Sequence, residues 1–313
     1  MRRSIGRSPL VWIRNWYLRR KAALHQTPVD RYEVRIARSV KEYQDAFRLI
    51  HVAYVYQGIE PVRGMEMRIT PQHVLPESTV FVAYEGETLV GTMTVTLDSP
   101  AGLPLDHDYP EPLMRLREQG ARMVEFGSLA VVRKCWHTGV TTLLNIAAHT
   151  FAWVVLEATH CVMGIHPRAA PFYDAVYNFA ALGAPRPHAE LDAPVQGMVH
   201  ELAGIRHHMR RHFRRPMATG LTPGEHFTEQ LPPNIRMPEG ESLAQLARWK
   251  LPRAVFRELF IEQSDRLDSL DERTRQQLEG WRSLRTLNGK QGTVSDETVP
   301  YGLCVVRPGE EAA

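Results

Sequence analysis

The sequence predicts an α/β fold: a mixed central sheet flanked by helices, followed by a C-terminal helical appendage. Three observations predict it. Segments that alternate apolar and polar residues are interleaved with segments of helical period through residues 32–202. Capping boxes mark two helix starts, at Ser39–Glu42 and Ser269–Glu272. Pro and Gly crowd residues 216–240 and divide the first block of elements from a second, helical one.

The first thirty residues form a basic segment with Trp12, Trp16 and Tyr17, either a frayed tail or a helix lying in a membrane interface. "YEVRIA" (32–37) alternates as a strand does. Ser39 and Glu42 then open a helix whose Tyr43, Phe47, Ile50 and Tyr54 share a face. "TVFVAYE" and "TLVGTMTVTLD", joined by a Gly-Glu turn, read as a hairpin over about 79–98. After "SPAGLP" a polar helix covers 109–119. A strand follows at 122–132, then a long apolar helix at 138–158 and a buried strand at 159–165. A short helix at 168–177 and a strand at 195–202 complete the block. The expected organisation is a main domain over 31–205, a basic, Pro/Gly-rich linker over 206–240, a helical appendage over 241–287 and a flexible tail over 288–313.

Hydrophobic content of 43% and charged content of 23% suit a globular protein in water. The formal charge is only +3, yet Arg2, Arg3, Arg7, Arg14, Arg19, Arg20 and Lys21 crowd one end, and "RHHMRRHFRRP" spans 206–216. Such runs are solvated faces or surfaces for acidic partners. They lack the interleaved aromatics and reading motif of a nucleic-acid binder, so none is expected. Cys135, Cys161 and Cys304 are odd in number and widely spaced, which excludes a disulfide framework and a zinc pattern and fits a cytoplasmic location. No apolar run reaches the length of a membrane span, so membrane contact is expected only at the periphery. His208 and His212 stand at i and i+4 without a third ligand, so no metal site is expected.

Several motifs carry a resemblance. "LVGTMTV", "VEFGSLAV" with its loop and helix, and "IHPRAAPFYDAVYNF" are similar to the substrate hairpin, acyl-donor strand and late helix of the GNAT superfamily of N-acyltransferases. Gly91–Pro104, Leu116–Val131 and His166–Tyr173 more narrowly resemble the long-chain N-acyl amino acid synthases, relatives of the acyl-homoserine-lactone synthases. The likeness covers roughly 32–202. Two positions depart from the family pattern: Ala169 replaces a second histidine, and Ser128 replaces an arginine.

The resemblance implies a GNAT-like fold and transfer of a long-chain acyl group to the α-amine of an amino acid. That chemistry needs a base for the amine, and Glu125 is the candidate once burial raises its pKa. The alternative for Glu125 is a structural carboxylate paired with Arg122 or Arg133. Backbone N–H groups from Leu129 to Val131 would hold the oxyanion, with Gly127 permitting a bulge. Tyr173 falls where many GNAT enzymes keep a tyrosine that protonates the leaving thiolate; packing as a core aromatic is the alternative. The resemblance also implies that the hairpin sets Thr92 and Thr94 beside the substrate. His166 and Arg168 could contact phosphate or carboxylate, or His166 could stabilise its turn.

The donor loop reads Trp136-His137-Thr138-Gly139-Val140-Thr141, where coenzyme A enzymes commonly carry more glycine. A bulky indole and a β-branched Thr keep a diphosphate from the backbone. One phosphate needs fewer amides, and His137, Thr138 and the helix start at Gly139, Val140 and Thr141 could hold it, with Arg133 beside them. The expected donor is therefore acyl-phosphopantetheine on acyl carrier protein, in preference to acyl-CoA. No tightly bound cofactor is expected. Two other functions stay open: an acyl-homoserine-lactone-type synthase, and a non-catalytic acyl-carrier-binding or regulatory module.

Overall fold

The hairpin lies inside the sheet, with strands on both sides of it. The computed structural model describes residues 8–237 apart from 57, 59–65, 76, 189–190, 192 and 228–229, together with 259, 270, 272 and 274–276. In chain order the elements are α1 (Pro9–Ala22), β1 (Glu33–Ile36), α2 (Val40–Tyr56), β2 (Ser78–Glu85), β3 (Thr88–Leu97), α3 (Pro110–Glu118), β4 (Met123–Val131), α4 (Val140–Thr150), β5 (His160–Ile165), α5 (Ala170–Tyr177), β6 (Ala180–Ala181), β7 (Arg186–Pro187), β8 (Pro194–Glu201), α6 (Leu202–His212), α7 (Pro223–His226) and β9 (Ile235–Arg236). The sheet runs β6-β8-β5-β4-β3-β2-β1-β9, with β7 against β8. β4–β5 and β1–β9 are parallel and the other pairs antiparallel, so the sheet is mixed as predicted.

Both faces of the sheet are covered. Leu143, Leu144, Ala147 and Phe151 pack on one side against Phe81, Val95 and Phe126. Tyr43, Phe47 and Ile50 of α2 pack on the other against Val80 and Val82. Gly91 of β3 lets α4 approach. A Cβ there would lie 2.6 Å from Val140 Cγ1 and 3.1 Å from Leu144 Cδ1. Gly91→Ala must push α4 off the strand, and we expect a loss of about 1–3 kcal/mol in urea unfolding.

Four features differ from the sequence expectations. The apolar helix starts at Val140, not at 138, and changes to a π-helical turn over Phe151–Val155. Residues 206–240 are not a bare linker. α6 carries the basic run, a capping box between Thr222 and Glu225 opens α7, and Ile235 pairs with Val34. Apolar side chains drive this return, because Met217, Phe227 and Ile235 are all buried. The N-terminal segment is also docked. Buried Asn15 and Arg14 bind the Asp174 carboxylate, and Arg19 Nε donates to the Ala175 carbonyl at 2.8 Å. Finally, the left-handed residue in β4 is Ser128 (φ 49°), not Gly127.

No helix among the described residues is long and apolar enough to cross a membrane. Of the expected appendage, Leu259 and Leu270 are buried in the cluster beside α2. The rest of it, apart from 272 and 274–276, and the whole tail lie outside the described residues.

Candidate active site

Strand β4 changes partners along its length. Glu125 pairs with Thr96 of β3 and Val162 of β5. Beyond it the register against β5 stops, while β3 continues to Gly91 opposite Val131. Between Thr92↔Ala130 and Thr94↔Gly127, β4 holds one residue more than β3. That extra residue is accommodated by the left-handed Ser128, which makes a bulge. From Gly127 to Val131 the backbone thus has a strand on one side and no paired strand on the other. Leu129, Ala130 and Val131 sit in that stretch.

Two cavities flank this stretch. A small one of about 110 Å³ is of mixed character and is lined by Glu125, Gly127, Ser128, Thr94, His73 and Asp108, among others. A large one of about 900 Å³ begins at Leu129–Val132 and reaches Val52, Tyr56, Phe172 and Tyr177. Its size is near the top of the ~300–1,000 Å³ range of small-molecule sites. Consecutive residues of β4 line the two, Gly127 and Ser128 the small one and Leu129–Val132 the large one.

Glu125 is 6% exposed, and one of its carboxylate oxygens accepts the Leu105 N–H at 2.8 Å. Burial pushes the carboxyl up to about 8; Asp106, Asp108 and Asp98 push the same way, and the Leu105 hydrogen bond opposes them. Neither Arg122 nor Arg133 pairs with it. The loop that delivers Leu105 is held by Arg117, which forks to Asp98 (2.7 and 2.8 Å) and to Asp106 (2.7 and 2.6 Å). Asp106 also accepts the Leu103 N–H at 2.7 Å. Sequence reasoning quoted Asp98 and Arg117 within motifs and missed their pairing. Their opposite charges, 19 residues apart, were the available signal.

His73 was also missed. Its Nδ1 accepts the Thr70 N–H at 3.0 Å, so in the neutral ring Nε2 carries the hydrogen and donates to Thr94 Oγ1 at 3.2 Å. Thr94 then keeps its own hydroxyl hydrogen for a ligand in the small cavity. Thr92 does not serve there: it is fully buried and donates to the Phe81 carbonyl at 2.8 Å. His166 and Arg168 are exposed and line neither cavity; His166 Nδ1 accepts the Arg168 N–H, the turn-stabilising alternative. Tyr173 is half-buried among the rings of Phe172, Tyr177 and Phe179 and lines neither cavity. Burial pushes its hydroxyl up to about 12, the wrong direction for an acid.

The donor loop lines the large cavity with Arg133, Trp136, His137, Thr138, Gly139 and Thr141; Val140, the first residue of α4, is buried in the core. Trp136 Nε1 donates to the Val131 carbonyl, and its ring meets Tyr56 edge-on. The Arg133 guanidinium lies 5.1 Å from the Tyr56 ring centre. Thr138 has little left for a phosphate. Its hydroxyl donates to the Cys135 carbonyl at 2.7 Å and accepts from Tyr32 at 2.9 Å. Gly139 serves packing as well: its φ is +96°, and a Cβ would lie 2.8 Å from Pro28 and 2.9 Å from Thr27. A phosphate would therefore meet the exposed His137 and the first amides of α4.

Three comparisons with known proteins bear on this arrangement. A family model described as N-acyl amino acid synthase FeeM matches residues 45–201, half of the 313-residue chain. A solved structure of FeeM, an N-acyl amino acid synthase from uncultured soil microbes, is 23% identical, with 57% of this chain and 94% of that chain covered and a TM-score of 0.51. The acyl-homoserine lactone synthase BjaI, solved with SAM and isopentyl-CoA, is 14% identical over 68% of this chain and 98% of that one, with a TM-score of 0.46. An acetyltransferase of the GNAT family from Streptococcus pneumoniae is 15% identical over 54% and 98%, with a TM-score of 0.39. A search of curated proteins gave no match.

Proposed function

The chain belongs to the family of the N-acyl amino acid synthase FeeM and is an acyltransferase, and on that premise we propose that it moves a long-chain acyl group from acyl carrier protein to the α-amine of an amino acid. The observation that carries this is the pair of cavities that meet consecutive residues of the β4 bulge, one large and largely apolar, one small and holding Glu125, Thr94 and His73.

The acyl chain occupies the large cavity, and its thioester carbonyl rests at the bulge, where backbone N–H groups between Leu129 and Val131 hold the developing oxyanion. The amine arrives through the small cavity. Its nitrogen attacks the carbonyl carbon, the C–N bond forms, and the C–S bond breaks. Glu125 in its ionised form takes the proton that the nitrogen sheds, directly or through water, and returns it to the leaving thiolate. A carboxyl near 8 suits both transfers, because a thiol titrates near 8.5. Tyr173, at about 12, supports the site by packing.

Support for the carrier-protein donor comes from the loop. Thr27 and Pro28 close over Gly139, and the Thr138 hydroxyl is engaged within the fold. Room is left for one phosphate more readily than for a diphosphate. Parallel reactions with acyl-carrier protein and the matching acyl-CoA, read as amide by mass spectrometry, test this. We expect kcat/KM to favour the carrier protein at least about tenfold, roughly 1.4 kcal/mol. Equal use of both donors would overturn the donor assignment.

A further inference from the structure

We infer that α1, together with the exposed end of α6, is a docking surface for an anionic lipid bilayer. Helical geometry puts Val11, Asn15, Leu18 and Ala22 on the inward face of α1. The outward face carries Leu10, Trp12, Ile13, Trp16 and Tyr17, from 46% to 76% exposed. Five large apolar side chains on a single 14-residue helix make a contiguous exposed patch, which calls for a partner.

Charge identifies that partner. The first 22 residues hold seven Lys and Arg and no Asp or Glu, and 206–216 holds five Arg and no acid. The two basic segments meet, because Arg19 Nη1 lies 3.2 Å from His212 Nδ1. Arg14 and Arg19 are used in docking α1 onto α5. Arg20 and Lys21 remain exposed on α1, as do Arg211, Arg214 and Arg215 at the end of α6. The Arg20 guanidinium lies 4.8 Å from the centre of the Trp16 ring. Indoles and a phenol set among cations suit the headgroup level of a bilayer, where apolar rings enter and basic heads meet lipid phosphates. An acidic protein would satisfy the arginines but would leave Leu10, Trp12 and Ile13 without a reason to be exposed.

The surface also adjoins the large cavity, whose rim includes Leu18, Lys21 and Ala22 of α1. An acylated product leaving that cavity would meet lipid instead of water. This last link rests on the function proposed above; the surface itself does not.

Sedimentation of the full chain with vesicles of phosphatidylcholine, alone or mixed with phosphatidylglycerol, tests the inference. The chain should bind the anionic vesicles at least about tenfold more tightly than the neutral ones, and added salt should weaken the binding. Trp12→Ser with Trp16→Ser should weaken it about tenfold while acyl transfer in vesicle-free solution stays unchanged. Replacing Arg211, Arg214 and Arg215 by Gln should remove the preference for anionic lipid. No vesicle binding, or binding indifferent to both sets of variants, overturns the inference. So does a Trp12/Trp16-dependent complex with acyl carrier protein, or a Trp12/Trp16-dependent dimer, in place of vesicle binding. Vesicle binding without any acyl transfer would support the surface while removing the proposed function.

Discussion

Glu125→Gln is expected to lower kcat by about 10²–10⁴-fold and to remove a rising limb near pH 8 from the rate profile. The wild-type carboxyl is mostly protonated at neutral pH, because burial pushes it up to about 8. The active, ionised form therefore accumulates as pH rises. Gln preserves the shape and can still accept the Leu105 N–H through its carbonyl oxygen, so the loss reads proton transfer and not collapse of the site. A stability measurement separates the two. A carboxyl whose folded pKa lies above its ordinary value of 4.5 favours the folded state in acid and loses that contribution as pH climbs towards 8. Wild type should thus lose stability relative to the Gln variant between pH 5 and 8, by up to about 1.4 kcal/mol per pH unit. Urea unfolding at both pH values checks this. A constant difference would mean that Glu125 is ionised in the folded protein at pH 5.

Arg117→Ala carries the second large effect. Arg117 makes four hydrogen bonds of 2.6–2.8 Å to Asp98 and Asp106, whose side chains are 13% and 19% exposed. Its removal leaves two half-buried carboxylates facing one another without a cation. We expect a cost of about 2–3 kcal/mol, below the full figure for a buried pair because Arg117 itself is a third exposed. Arg117→Lys should recover only a part, because an ammonium has three N–H donors without a planar fork and cannot replace the four hydrogen bonds of the guanidinium. The Leu103–Leu105 loop would loosen with it, so activity should fall along with the unfolding midpoint, read by urea titration and by rate.

The architecture was legible because its signals are local and strong. The alternation of "TLVGTMTVTLD" and the 3.6-residue spacing of Tyr43, Phe47 and Ile50 became β3 and α2. Glu125 stood out because the resemblance implies acyl transfer to an amine, which needs a base at the donor strand. What escaped were arrangements that join distant segments. Nothing near Gly139 announces that Thr27 and Pro28 will cover it, so a glycine needed for packing resembled one kept for phosphate. Thr92 and Thr94 look equivalent in sequence. The fold gives one hydroxyl to the Phe81 carbonyl and sets the other beside His73. Ile235 returns to the sheet through a stretch whose Pro and Gly content hid its buried side chains.

The central claim is that Glu125 serves an amine and an acyl thioester meeting at the β4 bulge. Mass spectrometry of a reaction containing the full chain, long-chain acyl-carrier protein and a mixture of amino acids tests it most directly. The account predicts an N-acyl amino acid that grows with time, rises in rate towards pH 8 and is nearly abolished by Glu125→Gln. Release of free fatty acid alone, or amide formation unchanged in the Gln variant, would contradict it.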